Sequence, residues 1–136
     1  MFRFHHVHLR SPAPAATAAF YETMFGAEVT RAVYPAGSPY AGLPRIAMML
    51  GGQRVLIAPA HQSKPNAVVE SPYFGVEHIG LAVDDLDAAV AALDAKGAEF
   101  WQRPRPTPTG TRNAFVRAPQ GVLVELVQVG GAAGRS

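Results

Sequence analysis

The sequence contains no cysteine among its 136 residues. This absence excludes disulfide bonds, a thiolate nucleophile and a zinc–thiolate centre, so any bound metal must be held by imidazole and carboxylate groups. Charged residues are also few, at 16%, with a formal net charge of +2. Nucleic-acid binding needs a denser basic stripe with stacking aromatic residues, so we do not expect nucleic acid as a partner.

No apolar run approaches the roughly 18 residues that a membrane span requires. The first residues, Met-Phe-Arg-Phe-His, also lack the basic segment, apolar core and cleavage site of a secretory signal. We therefore expect a soluble, cytoplasmic protein with no membrane partner. The length suits one domain with a single core.

What the sequence does contain is an internal repeat. A strand-like segment that carries His6 precedes a helical run that ends at Gly26, and the same succession recurs from His78 to Gly97. Such self-similarity predicts two copies of one structural unit. Because each copy brings a histidine to an equivalent position, a metal site is the first functional hypothesis.

Each copy is predicted to form a βαβββ module. In the first, about residues 1–60, strands are expected at 4–10, 27–33, 45–50 and 53–58, with a helix over 15–25. In the second, residues 75–130, strands are expected at 75–83, 99–102, 113–116 and 122–126, and Asp84 or Asp85 caps the helix. Residues 103–111 read as a proline-rich loop, 61–74 as a connector and 131–136 as a disordered tail. The fold class is α+β, with two curved mixed sheets enclosing a cleft.

One carboxylate stands out in the last strand of the second module. Glu125 lies amid branched apolar residues, where a charged side chain is costly to bury unless it is paired or binds a metal. His78 is its natural partner within the module. If the first strand of each module contributes its histidine, then His6, His78 and Glu125 form a set of two histidines and one carboxylate.

The remaining histidines divide by position. His8 shares a strand face with His6 and is expected either to line the pocket and transfer protons or to pack in the core. His5 should point outward, and His61 falls in the connector, so both are expected to be solvated.

Four segments resemble the vicinal oxygen chelate superfamily, the group of glyoxalases, bleomycin-resistance proteins and extradiol dioxygenases. They are HVHLR at 6–10, FYETMFG at 20–26, VEHIGLAVDD at 76–85 and APQGVLVEL at 118–126. The resemblance spans almost the whole chain and implies one divalent metal ion (zinc, nickel, manganese, iron or cobalt) held by His6, His78 and Glu125. It also implies that Arg10 lies near a substrate carboxylate. In such a site we expect His8 and Glu125 to be the catalytic residues, with His8 transferring protons.

The resemblance breaks at one position. Glyoxalase I members take a fourth ligand, a glutamate, from the last strand of the first module, and the nearest equivalent here is Ile57 within residues 54–58. A three-ligand site with open positions is similar to that of the extradiol dioxygenases. We therefore expect an enzyme for a small vicinally oxygenated substrate, an isomerase or lyase first and a dioxygenase second.

The alternative is a non-catalytic protein of the bleomycin-resistance type that sequesters a drug in the same cleft. The resemblance further implies a homodimer, in which the modules pair either within one chain or between subunits.

Overall fold

The chain forms two compact units, Met1–Ala67 and Val68–Ser136, which we describe separately. The computed structural model describes residues 1–60 and 70–129. Each unit has one helix and a four-stranded mixed sheet, with the elements in the order βαβββ. This confirms the predicted α+β class and the repeat of one βαβββ module. Among the described residues, neither helix is long and apolar enough to cross a membrane.

The first unit consists of five elements, namely β1 (Val7–Ser11), α1 (Pro14–Phe25), β2 (Glu28–Val33), β3 (Pro44–Leu50) and β4 (Gln53–Pro59). The strand order in the sheet is β1-β4-β3-β2. β1 runs parallel to β4, whereas the other neighbours are antiparallel. β3 and β4 are therefore the interior strands.

The helix of the first unit begins and ends where its sequence requires. Pro14 suits the first helical turn because its missing N–H would have no partner there. The helix ends at Gly26, whose φ of 68° is left-handed, as the sequence predicts. Tyr21 and Ala18 on this helix are fully buried, as are Met48 and Ile57 on the sheet, so one face of the sheet forms the core.

The second unit repeats the arrangement with β5 (His78–Val83), α2 (Leu86–Ala95), β6 (Phe100–Pro106), β7 (Arg112–Arg117) and β8 (Leu123–Gln128). The strand order is β5-β8-β7-β6, with β5 parallel to β8. Asp85 is the N-cap of α2 and accepts a hydrogen bond from the Ala88 amide at 3.0 Å. The sequence allowed either Asp84 or Asp85 as the cap, and the structure shows that it is Asp85.

Three predicted boundaries are wrong by three residues or more. The loop expected at 103–111 begins later, because β6 continues to Pro106. β6 is an edge strand, where proline is tolerated, and its pairing with β7 shifts register twice. Both first strands also start later than predicted, at Val7 and His78, since their ladders begin opposite Val55 and Leu123. The predicted tail, His61 and most of the predicted connector lie outside the described residues.

Candidate functional site

The second sheet brings His78 and Glu125 together. β5 and β8 are neighbouring parallel strands in which Gly80 lies opposite Glu125. Side chains alternate along a strand, so His78 and Glu125 share a sheet face with Gly80 between them. Gly80 has no side chain to intervene, and a Cβ built there would lie 3.8 Å from Glu125 Oε1.

The two polar groups converge. His78 Nε2 lies 3.2 Å from Glu125 Oε1, and their side chains are 35% and 19% exposed. Two ligands at ~2.0–2.2 Å from one metal ion lie about 2.8–3.6 Å apart for angles between ~90° and ~110°. The observed separation fits two adjacent ligands of a single divalent ion.

A neighbouring carboxylate fixes the orientation of His78. His78 Nδ1 lies 2.9 Å from Glu77 Oε1, and this hydrogen bond, together with one to Ser71, holds the pKa of Glu77 below its ordinary value. Glu77 is therefore ionised at neutral pH, and Nδ1–H donates to it. In the neutral imidazole Nε2 then carries the lone pair, which is the arrangement that a metal-binding histidine requires.

An amide chain anchors Glu125 from the other side. Asn113 Nδ2 donates to Glu125 Oε2 at 2.7 Å, and Gln102 Nε2 donates to Asn113 Oδ1 at 3.0 Å. Glu125 Oε1 is thereby left directed at His78. The rings of His78 and Phe115 make an edge contact, with centroids 5.1 Å apart, so the imidazole is held by packing as well.

Sequence reasoning missed Glu77, Asn113 and Gln102. Glu77 precedes β5, where strict alternation of faces does not hold, so its contact with His78 could not be derived from a strand pattern. Asn113 had a usable signal. It is a polar residue in the hairpin of Glu125, lies opposite Val127, and is thus a diagonal neighbour of Glu125 on the same face.

The first sheet carries the other predicted site residues. His6 immediately precedes β1 and is exposed; its Nδ1 lies 2.8 Å from Nδ1 of His5, which is also exposed. His8 lies on β1, with its ring centroid 5.9 Å from that of His6. Partial burial lowers the pKa of His8, as do Arg10 and His6 nearby, and this favours the neutral form of its imidazole.

Arg10 lies two residues further along the same strand face. Its Nη1 donates to the Tyr40 hydroxyl and to the Pro59 carbonyl, both at 3.2 Å. The guanidinium also lies 5.9 Å from the centroid of the Tyr40 ring. These contacts fix the direction of Arg10 beside His8.

The sequence as a whole matches a known protein family. Residues 3–126 match the family model of the Glyoxalase/Bleomycin resistance protein/Dioxygenase superfamily. The chain belongs to this superfamily. The match confirms the resemblance that the four sequence segments indicate.

Individual known proteins resemble this chain over different lengths. A probable lactoylglutathione lyase from Vibrio cholerae serotype O1 is 38% identical over 52 residues, which is 38% of this chain and 38% of the relative. The fosfomycin resistance protein FosX from Listeria monocytogenes is 19% identical, covers 100% of this chain and 99% of its own, and has a TM-score of 0.69. TioX from Micromonospora sp. ML1 is 22% identical over 93% of this chain and 98% of its own, with a TM-score of 0.66. The two solved structures show a shared fold.

The position of the superfamily's fourth ligand can be read from the strand registers. In the second unit Gly80 lies opposite Glu125, and in the first unit the equivalent pair is His8 and Leu56. The prediction of Ile57 is therefore wrong by one residue: Ile57 is 1% exposed and lies on the opposite face of its strand. Leu56 is also apolar, so no carboxylate occupies the equivalent position under the corrected register either.

The structure does not gather all three predicted ligands into one cluster. Within residues 1–60 and 70–129, no group of three or more histidine, aspartate or glutamate side chains lies close enough to hold a metal ion. His78 and Glu125 form a pair in the second unit, whereas His6 contacts His5 and His8 in the first.

Proposed function

We propose that this protein is a divalent-metal-dependent enzyme that acts on a small vicinally oxygenated substrate. His6, His78 and Glu125 are the proposed ligands. The supporting observation is the convergence of His78 Nε2 and Glu125 Oε1 at 3.2 Å, because the spacing and the donor types both suit one metal ion. A bound divalent ion would supply Lewis-acid polarisation of two adjacent substrate oxygens.

The chain's own residues perform the remaining tasks in this proposal. Glu77 keeps the Nε2 lone pair of His78 available, and Asn113 holds Glu125 by its other oxygen. His8 accepts or returns a substrate proton, and Arg10 binds the substrate carboxylate.

Isomerase or lyase chemistry is the first candidate reaction. The partial likeness to a probable lactoylglutathione lyase supports this class. Ring-cleaving dioxygenation is the second, and it is favoured by Leu56 at the place of a fourth ligand, because three protein ligands leave open positions as in non-haem iron oxygenases.

Metal binding by the full chain tests the proposal. We expect about one divalent ion per chain by elemental analysis. In titration calorimetry, His78→Ala and Glu125→Gln should weaken metal binding by more than the ~10–100-fold typical of removing a residue that only hydrogen-bonds to a ligand. Glu99→Gln is the matched control, since Glu99 is a 77% exposed carboxylate of the same unit, paired with Arg117. If both ligand variants bind metal as the wild type does, the protein is a non-catalytic drug-binding member instead.

Two activity assays on metal-loaded protein separate the reaction classes. Formation of lactoylglutathione from methylglyoxal and glutathione would support the lyase. Oxygen uptake with a panel of catechols would support the dioxygenase. His78→Ala should abolish whichever activity is found.

We also propose a homodimer. Mixed dimers test whether the His6 of each metal site comes from the same chain as His78 or from the other subunit. If each site combines His6 of one subunit with His78 of the other, a mixed dimer of His6→Ala and His78→Ala chains regains one intact site. If each site lies within one chain, the mixed dimer binds no more metal than either variant alone. Sedimentation of the wild type measures the oligomeric state itself.

A further inference from the structure

A small pocket lies on the exposed face of the first sheet. Its volume is about 190 Å³, and it is lined by His8, Tyr34, Arg45, Arg54 and Leu56, among others. We call it the first-sheet pocket. An engineered cavity of about 150 Å³ in another protein holds benzene, so the first-sheet pocket suits a ligand of about that size.

The charge on this sheet face is positive. Strand alternation places Arg10, Arg45 and Arg54 on it, against one acidic residue, Glu28. Glu28 and Arg54 both lie opposite Met49, on either side of it. The backbones of Glu28 and Arg54 are thus about 10 Å apart across two strand spacings, and three arginines against one glutamate leave this face with a net positive charge.

Arg45 and Arg54 differ in their partners from four other arginines of the sheets, although Arg10 and Arg105 also contact no carboxylate within residues 1–60 and 70–129. The guanidinium groups of Arg31, Arg103, Arg112 and Arg117 each lie within 3.4 Å of a carboxylate. The guanidinium groups of Arg45 and Arg54 contact no carboxylate within residues 1–60 and 70–129, although both residues lie on interior strands.

The two sheets differ in whether the residue at one equivalent position has a carboxylate acceptor. Counting from the pairs Phe115–Glu125 and Ala47–Leu56, Arg45 occupies the position of Asn113. In the second sheet the side chain at this position donates to the carboxylate of Glu125. In the first sheet the donor is a guanidinium and the carboxylate is replaced by Leu56, so the donor has no acceptor in the sheet.

We infer that the first-sheet pocket binds the anionic group of a small ligand, a carboxylate or a phosphonate, through Arg45 and Arg54. The ligand's oxyanion takes the place that the side chain of Glu125 fills in the second sheet. The inference depends on the proposed function only in identifying this ligand with the enzyme's substrate.

Calorimetry on the full chain after chelator treatment tests the inference independently of metal. Benzoate and phenylphosphonate are the anionic probes, and benzyl alcohol is the neutral probe of similar size. We expect the anions to bind more tightly than the alcohol, and Arg45→Gln or Arg54→Gln to weaken anion binding by about tenfold or more, because each removes a charge-assisted contact. The better of the two anions identifies the class of oxyanion.

Three further variants sharpen the result. Arg31→Gln, on the opposite face of the same sheet, should bind benzoate as the wild type does. Leu56→Glu supplies an internal carboxylate for Arg45 and should abolish anion binding. Glu125→Gln should lose metal but keep benzoate, so failure of the metal site and failure of the pocket are distinguishable. Unchanged affinity for both anions in the two pocket arginine variants, or no preference for either anion over benzyl alcohol, would overturn the inference.

Discussion

Replacing Asn113 with alanine tests how firmly the second sheet holds Glu125. Asn113 donates to Glu125 Oε2 at 2.7 Å and accepts from Gln102 at 3.0 Å. A hydrogen bond to a charged group contributes about 1.5–3 kcal/mol and a neutral one about 0.5–1.5 kcal/mol. Since the side chain of Glu125 is 19% exposed, water replaces part of the lost donor, and the lower values apply. Asn113→Ala should therefore reduce the free energy of unfolding of metal-free protein by about 2 kcal/mol.

Urea denaturation of chelator-treated protein measures this loss, with Trp101 as the fluorescent probe. In thermal denaturation of the same protein, we expect the Tm of a chain of this size to fall by roughly 6–8 °C. Gln102→Ala removes only the second hydrogen bond and should cost about 1 kcal/mol. Gln53→Ala is the control, because its amide makes only an exposed 3.3 Å contact with the Arg54 carbonyl, and its effect should stay within ~0.5 kcal/mol.

Metal affinity provides the second readout of the same variant. If Asn113 orients a ligand, Asn113→Ala should weaken metal binding by about 10–100-fold. A loss of stability with unchanged metal affinity would show that Asn113 serves the fold alone. Unchanged stability and unchanged affinity together would refute the reasoning.

Three other changes have definite expected results. Asp85→Ala removes the N-cap of α2 and should cost about 1 kcal/mol in thermal denaturation, whereas Asp84→Ala should cost little. Burial raises the pKa of Tyr21 well above its ordinary value. Above pH ~10 this tyrosine therefore ionises only in the unfolded state, and the free energy of unfolding falls. Tyr21→Phe should make the free energy of unfolding less dependent on pH in denaturation curves taken between pH 8 and 11. Gly80→Ala should leave stability unchanged or raise it by up to ~1 kcal/mol, because its Cβ would meet Glu125 Oε1 at an ordinary 3.8 Å; a large loss would contradict the register.

The sequence predicted the order of the elements and the pair of His78 with Glu125. Both follow from short-range signals. The repeated strand and helix patterns are local, and a carboxylate amid apolar residues requires a partner wherever the strand lies. The α+β fold and the family are confirmed by the structure and the family match.

The errors arose where a prediction depended on strand register. Ile57 and Leu56 are adjacent, and a shift of one residue moves a side chain to the other face of the sheet. The separation along the chain could not decide between them, since the loops of the two modules differ in length. The extension of β6 to Pro106 was missed for a related reason. Proline is tolerated in an edge strand, but the sequence does not show that β6 is at the edge of its sheet.

The contrast between the two sheets is more informative than the repeat itself. A pure structural repeat would preserve equivalent positions on both sheet faces, because the same packing would require the same residues. Instead, the buried faces remain apolar, whereas the exposed faces have diverged at paired positions: Glu125 with Asn113 in one sheet, Leu56 with Arg45 in the other. Arg45 is exposed, so water can solvate its guanidinium and folding does not require an internal acceptor for it. The difference fits the proposal that Arg45 and Arg54 bind an external anion, and under that proposal the two modules carry different tasks in ligand binding.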